Sequence, residues 1–223
     1  MRIRRKKWAK TELEESKFYI DNPDGNKNCW RNKFVNSQNP LYVEFGCGKG
    51  LFIATLANKH RDINYIAVDM IEAMLGLSKR NIEEAYNFET PENLWLIRAN
   101  VEQISNTFGK EDKIDRIYIN FCNPWPKAKH NKRRLTHPRQ LEQYIKFLKP
   151  TAEIFFKTDD NDLFIDSVGY LEDSGFKIAK KTFDLHSDDI FANWQNGHIN
   201  IVTEHEEMFT KEGIKIKALI AIF

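Results

Sequence analysis

Cysteine is scarce in this 223-residue chain: Cys29, Cys47 and Cys122 are an odd number with no Cys-x-x-Cys spacing. That pattern argues against a disulfide framework and against a zinc site, and it fits a reducing cytoplasm. No run of 18 or more apolar residues occurs, so no membrane-spanning helix is expected. The basic N-terminus MRIRRKKWAK is not followed by the apolar stretch that a secretory signal requires. Internal repeats and low-complexity tracts are also missing. The length suits one α/β domain with a short arm.

The chain also lacks a strong overall charge, at +2, but its distribution is uneven. Residues 2–10 carry Arg2, Arg4, Arg5, Lys6, Lys7 and Lys10 without an acid, and residues 127–139 carry Lys127, Lys129, Lys132, Arg133, Arg134 and Arg139 without one. Two runs of +6 within a net of +2 leave −10 for the rest. An acidic body with two concentrated basic patches suits a protein that binds a polyanion and stays soluble.

Apolar runs of strand length alternate with helix-like stretches from Leu41 onward, the pattern of a parallel sheet with crossover helices. Strands are expected at Leu41–Phe45, Tyr65–Asp69, Leu94–Ile97, Arg116–Phe121 and Glu153–Lys157, with two more β-rich stretches near 176–183 and 214–223. Helices are expected over about 51–59, 71–86, 138–148 and 163–173, with a short one near 101–106; Pro138 suits a first helical turn. Residues 1–39 read as a basic arm or a short helix leading into the domain, the arm flexible until it orders on a polyanion, and residues 40–223 as the domain.

Glu44-Phe45-Gly46-Cys47-Gly48-Lys49-Gly50 ends the first strand. Glycines at Gly46 and Gly48 allow a tight turn and close approach of a ligand to the main chain. The spacing differs from the dinucleotide pattern, and Glu44 would repel a pyrophosphate. A carboxylate there suits the ammonium of S-adenosylmethionine. Asp69, ending the second strand, can accept from ribose hydroxyls; Asn100, ending the third, can meet an adenine edge or cap the next helix.

The fourth strand runs into Asn120-Phe121-Cys122-Asn123-Pro124-Trp125-Pro126-Lys127. Two prolines around a tryptophan make a stiff loop that can wall in a flipped base. The cations that follow, Lys129, Lys132, Arg133 and Arg134, suit phosphate contacts.

FCNPWPKAKHNKRRL resembles the signature of the bacterial tRNA (guanine-N7-)-methyltransferase family, and the likeness extends through VEFGCGKG, FKTDDNDLF and Thr203-Glu204-His205-Glu206, from about residue 41 to 223. It implies a Rossmann-like class I S-adenosylmethionine-dependent methyltransferase fold, with a seven-stranded, mostly parallel sheet, helices on both faces and an antiparallel last strand. The resemblance puts Glu44, Asp69, Asn100 and Asn123 at S-adenosylmethionine, and Lys127, Asp159 and the Thr203–Glu206 segment at the tRNA or its target guanine in the variable loop. Asp159, just beyond the fifth strand, could accept from the N1 and amine donors of guanine. The Thr203/Glu206 pair could equally be a helix cap.

Asn123 stands where the family commonly has aspartate, with milder departures at Asp69 and Asn100. N7 of guanine carries a lone pair and no proton, so in-line attack on the methyl needs no base, and activity with Asn123 is expected; proximity and orientation do most of the work. Two other readings compete: a methyltransferase acting on an exocyclic base amine, which Asn123-Pro124-Trp125 partly mimics, and a non-catalytic RNA-binding protein on the same fold. A nicotinamide oxidoreductase fits least. No metal is expected, and the oligomeric state stays open between monomer and homodimer.

Overall fold

The computed structural model describes residues 6–188, 190–191, 194 and 200–223. Among these residues, eight strands form one sheet: β1 (Tyr19–Ile20), β2 (Leu41–Phe45), β3 (Asn64–Asp69), β4 (Leu94–Arg98), β5 (Ile114–Asn120), β6 (Leu148–Thr158), β7 (Lys177–Thr182) and β8 (Lys217–Ile222). Their order is β1-β4-β3-β2-β5-β6-β8-β7, with β1 to β6 parallel and β8 antiparallel between β6 and β7. The apolar C-terminal strand is thus inserted in the sheet. Strand β1 raises the count from the expected seven to eight; two residues carry no alternation that a sequence reading could detect.

Among the described residues, six α-helices accompany the sheet: α1 (Lys7–Glu14), α2 (Leu51–Lys59), α3 (Glu72–Ala85), α4 (Pro138–Tyr144), α5 (Asn161–Asp173) and α6 (Glu204–Lys211). Alternation along the strands divides the core. Val43, Phe45, Ile117, Ile119, Ile154 and Phe156 pack with Leu141, Tyr144, Leu163 and Phe164 of α4 and α5. Tyr65, Ala67, Tyr118 and Phe155 pack on the opposite face with Leu13, Phe52, Ile53, Leu75 and Ile82 of α1 to α3. Helix α4 stops at Tyr144, short of the expected 148, because the apolar residues Phe147 and Leu148 already turn into β6.

The stretch expected to be a flexible arm is folded over its described part. Helix α1 packs on α3, Leu96 donates its N–H to the Phe18 carbonyl, and Trp30 is fully buried with its indole N–H on the Thr107 carbonyl. Asp112 accepts the backbone N–H groups of Asn28 and Trp30. Burying a tryptophan takes a large apolar surface out of water, and together with these hydrogen bonds it ties the polar segment to the domain. Arg2, Arg4 and Arg5 of the first basic run lie outside the described residues. Among the described residues, no helix is long and apolar enough to cross a membrane, and no group of three His, Cys, Asp or Glu could hold a metal ion.

Candidate active site

The C-terminal ends of β2, β3, β4, β5 and β6 lie side by side, so Glu44, Asp69, Asn100, Asn123 and Asp159 share one edge of the sheet. Gly46, Gly48 and Gly50 all have positive φ (76°, 54° and 71°), the region where a side chain costs most. A Cβ at Gly48 would meet nothing within 4 Å, and one at Gly46 only Leu135 Cδ1 at 4.0 Å. The loop therefore borders open space. Asp69 braces it: its carboxylate accepts from Gly48 N–H (3.0 Å) and from Ile71 N–H (2.8 Å). Burial holds that carboxyl above the usual carboxylate range despite these donors.

Glu44 is 2% exposed. One oxygen accepts from Asn120 Nδ2 at 3.0 Å, and the other has no hydrogen-bond partner. Burial pushes its carboxyl up to about 7, against the Asn120 hydrogen bond and the Lys157 charge. An unpartnered carboxylate oxygen in a buried site is costly, and a cationic ligand would satisfy it. The residues present thus fit a methyl donor carrying an ammonium group. Asn100 accepts from Glu102 N–H (2.9 Å), capping the 3-10 turn 101–106, while standing at the edge of a polar cleft with Asp21, Asp24 and Arg98.

Asn120 and Lys157 were not singled out in the sequence. They pair across β5 and β6 and face the same side as Glu44. Their signal was a polar residue ending an apolar strand. Lys157 is 2% exposed and donates to Glu206 (2.7 Å), Asn200 Oδ1 (3.1 Å) and the Ile201 carbonyl (3.1 Å). Glu206, expected to contact substrate, is fully buried against Lys157, and His186 Nε2 and Asn200 Nδ2 lie on its other oxygen. With Thr203 it forms a capping box at the start of α6. A carboxylate so enclosed is held by its partners, and both residues take the capping role. Helix α6 nevertheless reaches the site, because Lys49 of the glycine loop pairs with Glu204 (2.9 Å) and the His205 ring stacks on Phe121 (6.1 Å, 20°).

Asn123 is exposed, and its Oδ1 accepts from Trp125 N–H at 3.1 Å. Phe121 and Trp125 both have positive φ, 50° and 45°, a conformation bulky residues rarely adopt. The Trp125 ring lies under the Arg133 guanidinium (5.1 Å) and beside His130 (5.8 Å). Lys127, Lys129, Lys132 and Arg133 are exposed. Arg134 is not: it is 3% exposed, ion-paired with Asp166 of α5, and donates to the Pro124 carbonyl at 2.7 Å. The expected phosphate contact at Arg134 is corrected accordingly, since a guanidinium enclosed by protein acceptors has no face for a phosphate. Asp159 is half-buried, and its main-chain carbonyl accepts from Lys217.

A family model described as a putative methyltransferase matches residues 38–219. A tRNA (guanine-N(7)-)-methyltransferase of Clostridium botulinum (strain Eklund 17B / Type B) is 51% identical over 224 residues, spanning 100% of this chain and 99% of its own length. A protein of the same name from Acetivibrio thermocellus is 46% identical over 99% of both chains. Among solved structures, the 16S rRNA methyltransferase KamB superposes with a TM-score of 0.60 at 11% identity, over 86% of this chain and 90% of that one. An antibiotic-related methyltransferase gives 0.59 at 18% identity, over 91% and 94%. Likeness at such low identity speaks for the fold, a class I methyltransferase architecture.

Proposed function

The chain belongs to the bacterial tRNA (guanine-N7-)-methyltransferase family, and from that membership we propose that it methylates N7 of a guanine in the tRNA variable loop, with S-adenosylmethionine as methyl donor. The observation that carries the donor is the buried Glu44 oxygen without a partner, at the strand end that opens the glycine loop. The donor supplies an electrophilic methyl group. Glu44 takes its ammonium, the Gly46–Gly48 backbone approaches its amino-acid end, Asp69 takes the ribose hydroxyls and Asn100 the adenine edge.

Guanine N7 has no proton to lose, so the protein contributes proximity and in-line alignment, which reach roughly 7–11 kcal/mol in favourable systems. Asn123 Oδ1, with one lone pair left beside the Trp125 N–H, offers partial negative charge to the cation developing on the base. Trp125 walls the base, Asp159 accepts from its N1 and amine donors, and Lys127, Lys129, Lys132 and Arg133 hold phosphates. The compartment is the cytoplasm, where tRNA is found.

The Asn123-Pro124-Trp125 run also favours a second reading, methylation of an exocyclic amine. The two separate cleanly with tRNA transcribed with 7-deazaguanine, which keeps the amine and lacks N7. Transfer to this tRNA is expected to vanish; undiminished transfer would establish the amine reading.

A further inference from the structure

Arg133 and Arg134 are neighbours in sequence and diverge in space. Arg133 lies outward over the Trp125 ring, whereas Arg134 is enclosed. The Arg134 Nε–H donates to the carbonyl of Pro124 at 2.7 Å, and the N–H of the same peptide unit, on Trp125, donates to Asn123 Oδ1 at 3.1 Å. This one peptide plane is therefore held at both ends. Asn131 adds a third restraint: in the amide orientation that satisfies it, its Nδ2 donates to the carbonyls of Trp125 (3.2 Å) and Lys127 (3.3 Å). Asp166 anchors the guanidinium to α5, an element packed on the sheet.

We infer that Arg134 is a positioning residue: it fixes the Pro124–Trp125 peptide and, through it, the side chain of Asn123. This rests on the reading of Asn123 as the group beside the reacting base. The physical need is visible in the backbone. Trp125 sits at φ 45°, a left-handed conformation that an L-residue rarely adopts. Such a conformation, strained for an L-residue, persists only while its surroundings over-determine it. Arginine suits the task because it stays charged and its planar fork serves two acceptors at once, here the Pro124 carbonyl and the Asp166 carboxylate. With Arg134 removed, the peptide can rotate toward an unstrained conformation, and the Asn123 oxygen turns with it.

The test uses the full-length enzyme, with steady-state kinetics on tRNA at several salt concentrations and hydrogen exchange of peptide 121–127 without tRNA. Arg134→Met is expected to lower kcat roughly tenfold to a hundredfold, the scale of a small misplacement, and to leave KM for tRNA and its salt slope unchanged. Exchange in 121–127 should accelerate. Arg134→Lys, which can serve one acceptor at a time, should recover part of kcat. Lys132→Gln is the contrast: KM should rise and the salt slope fall by about one. Asp166 is the more exposed partner of the pair, at 43%, so Asp166→Asn carries the same test if Arg134→Met does not fold; where both fold, the double variant should be little worse than Arg134→Met. A higher KM with a shallower salt slope at unchanged kcat would make Arg134 a phosphate contact and overturn the inference. Unchanged exchange in 121–127 would overturn it too. Should the wild-type enzyme fail to methylate tRNA, the proposed function falls, and the exchange measurement still decides what Arg134 does.

Discussion

A carboxyl held near 7 by burial, with one oxygen unpartnered, would make Glu44 a sensor of the cationic donor proposed to bind there. In the ligand-free protein the folded state keeps its proton to about 7, whereas the unfolded chain releases it near the ordinary value of 4.5. Stability therefore falls as pH rises through that window, since the folded state binds the extra proton. A cationic donor needs the anion, so its binding at pH 6 should expel a proton, and its affinity should rise between about pH 5 and 7 and level off above. Calorimetry in two buffers of different ionisation enthalpy measures the released proton, and Glu44→Gln should abolish both the release and the pH dependence. Affinity independent of pH in the wild type would remove Glu44 from the donor site. The sequence showed this residue by its place before three glycines. It could not show that Asn120 and Lys157 flank it, because that depends on the register between strands far apart in the chain. Arg134 was misread for a related reason: charge composition alone does not reveal which member of a basic run turns inward.

Among the elements, the glycine loop separates backbone strain from packing. Gly48 and Gly50 both have positive φ, but a Cβ at Gly48 would meet open space, whereas one at Gly50 would lie 2.0 Å from Ser78 Oγ and 3.1 Å from its Cα. Gly48→Ala should cost roughly 1–2 kcal/mol, the left-handed penalty alone. Gly50→Ala should add an overpacking cost of roughly 1–3 kcal/mol, because α2 must move away from α3. Urea unfolding of both variants measures the difference, and equal losses would refute the packing role of Gly50. Elements with strong periodicity were legible: α2 spans the expected 51–59, and β2 to β5 lie within a residue or two of their apolar runs, while β6 starts earlier, at Leu148. Helix α6 was missed. Its eight residues carry no wide apolar face, and the capping box at Thr203 was its one local sign.

At the scale of the whole molecule, the parallel sheet and its antiparallel insertion bring a glycine loop, a strained Trp loop and a set of exposed cations to one edge. The fold was legible because alternating apolar runs and short connections leave few topologies. The folded state of residues 6–39 was not, since a polar, basic composition hides the few anchors, Phe18 and Trp30, that tie the stretch to the core. The exposed cations of the second run, with Arg134 turned inward, still leave a basic rim on an otherwise acidic body, suited to phosphates. By the function proposed above, this edge methylates guanine N7 with Asn123 as it stands. The direct measurement is transfer of labelled methyl from S-adenosylmethionine to unmodified tRNA by the purified wild-type protein, with chromatographic identification of the product nucleoside. The expected product is N7-methylguanosine from the variable loop. Donor binding without transfer, or transfer only after Asn123→Asp, would contradict it.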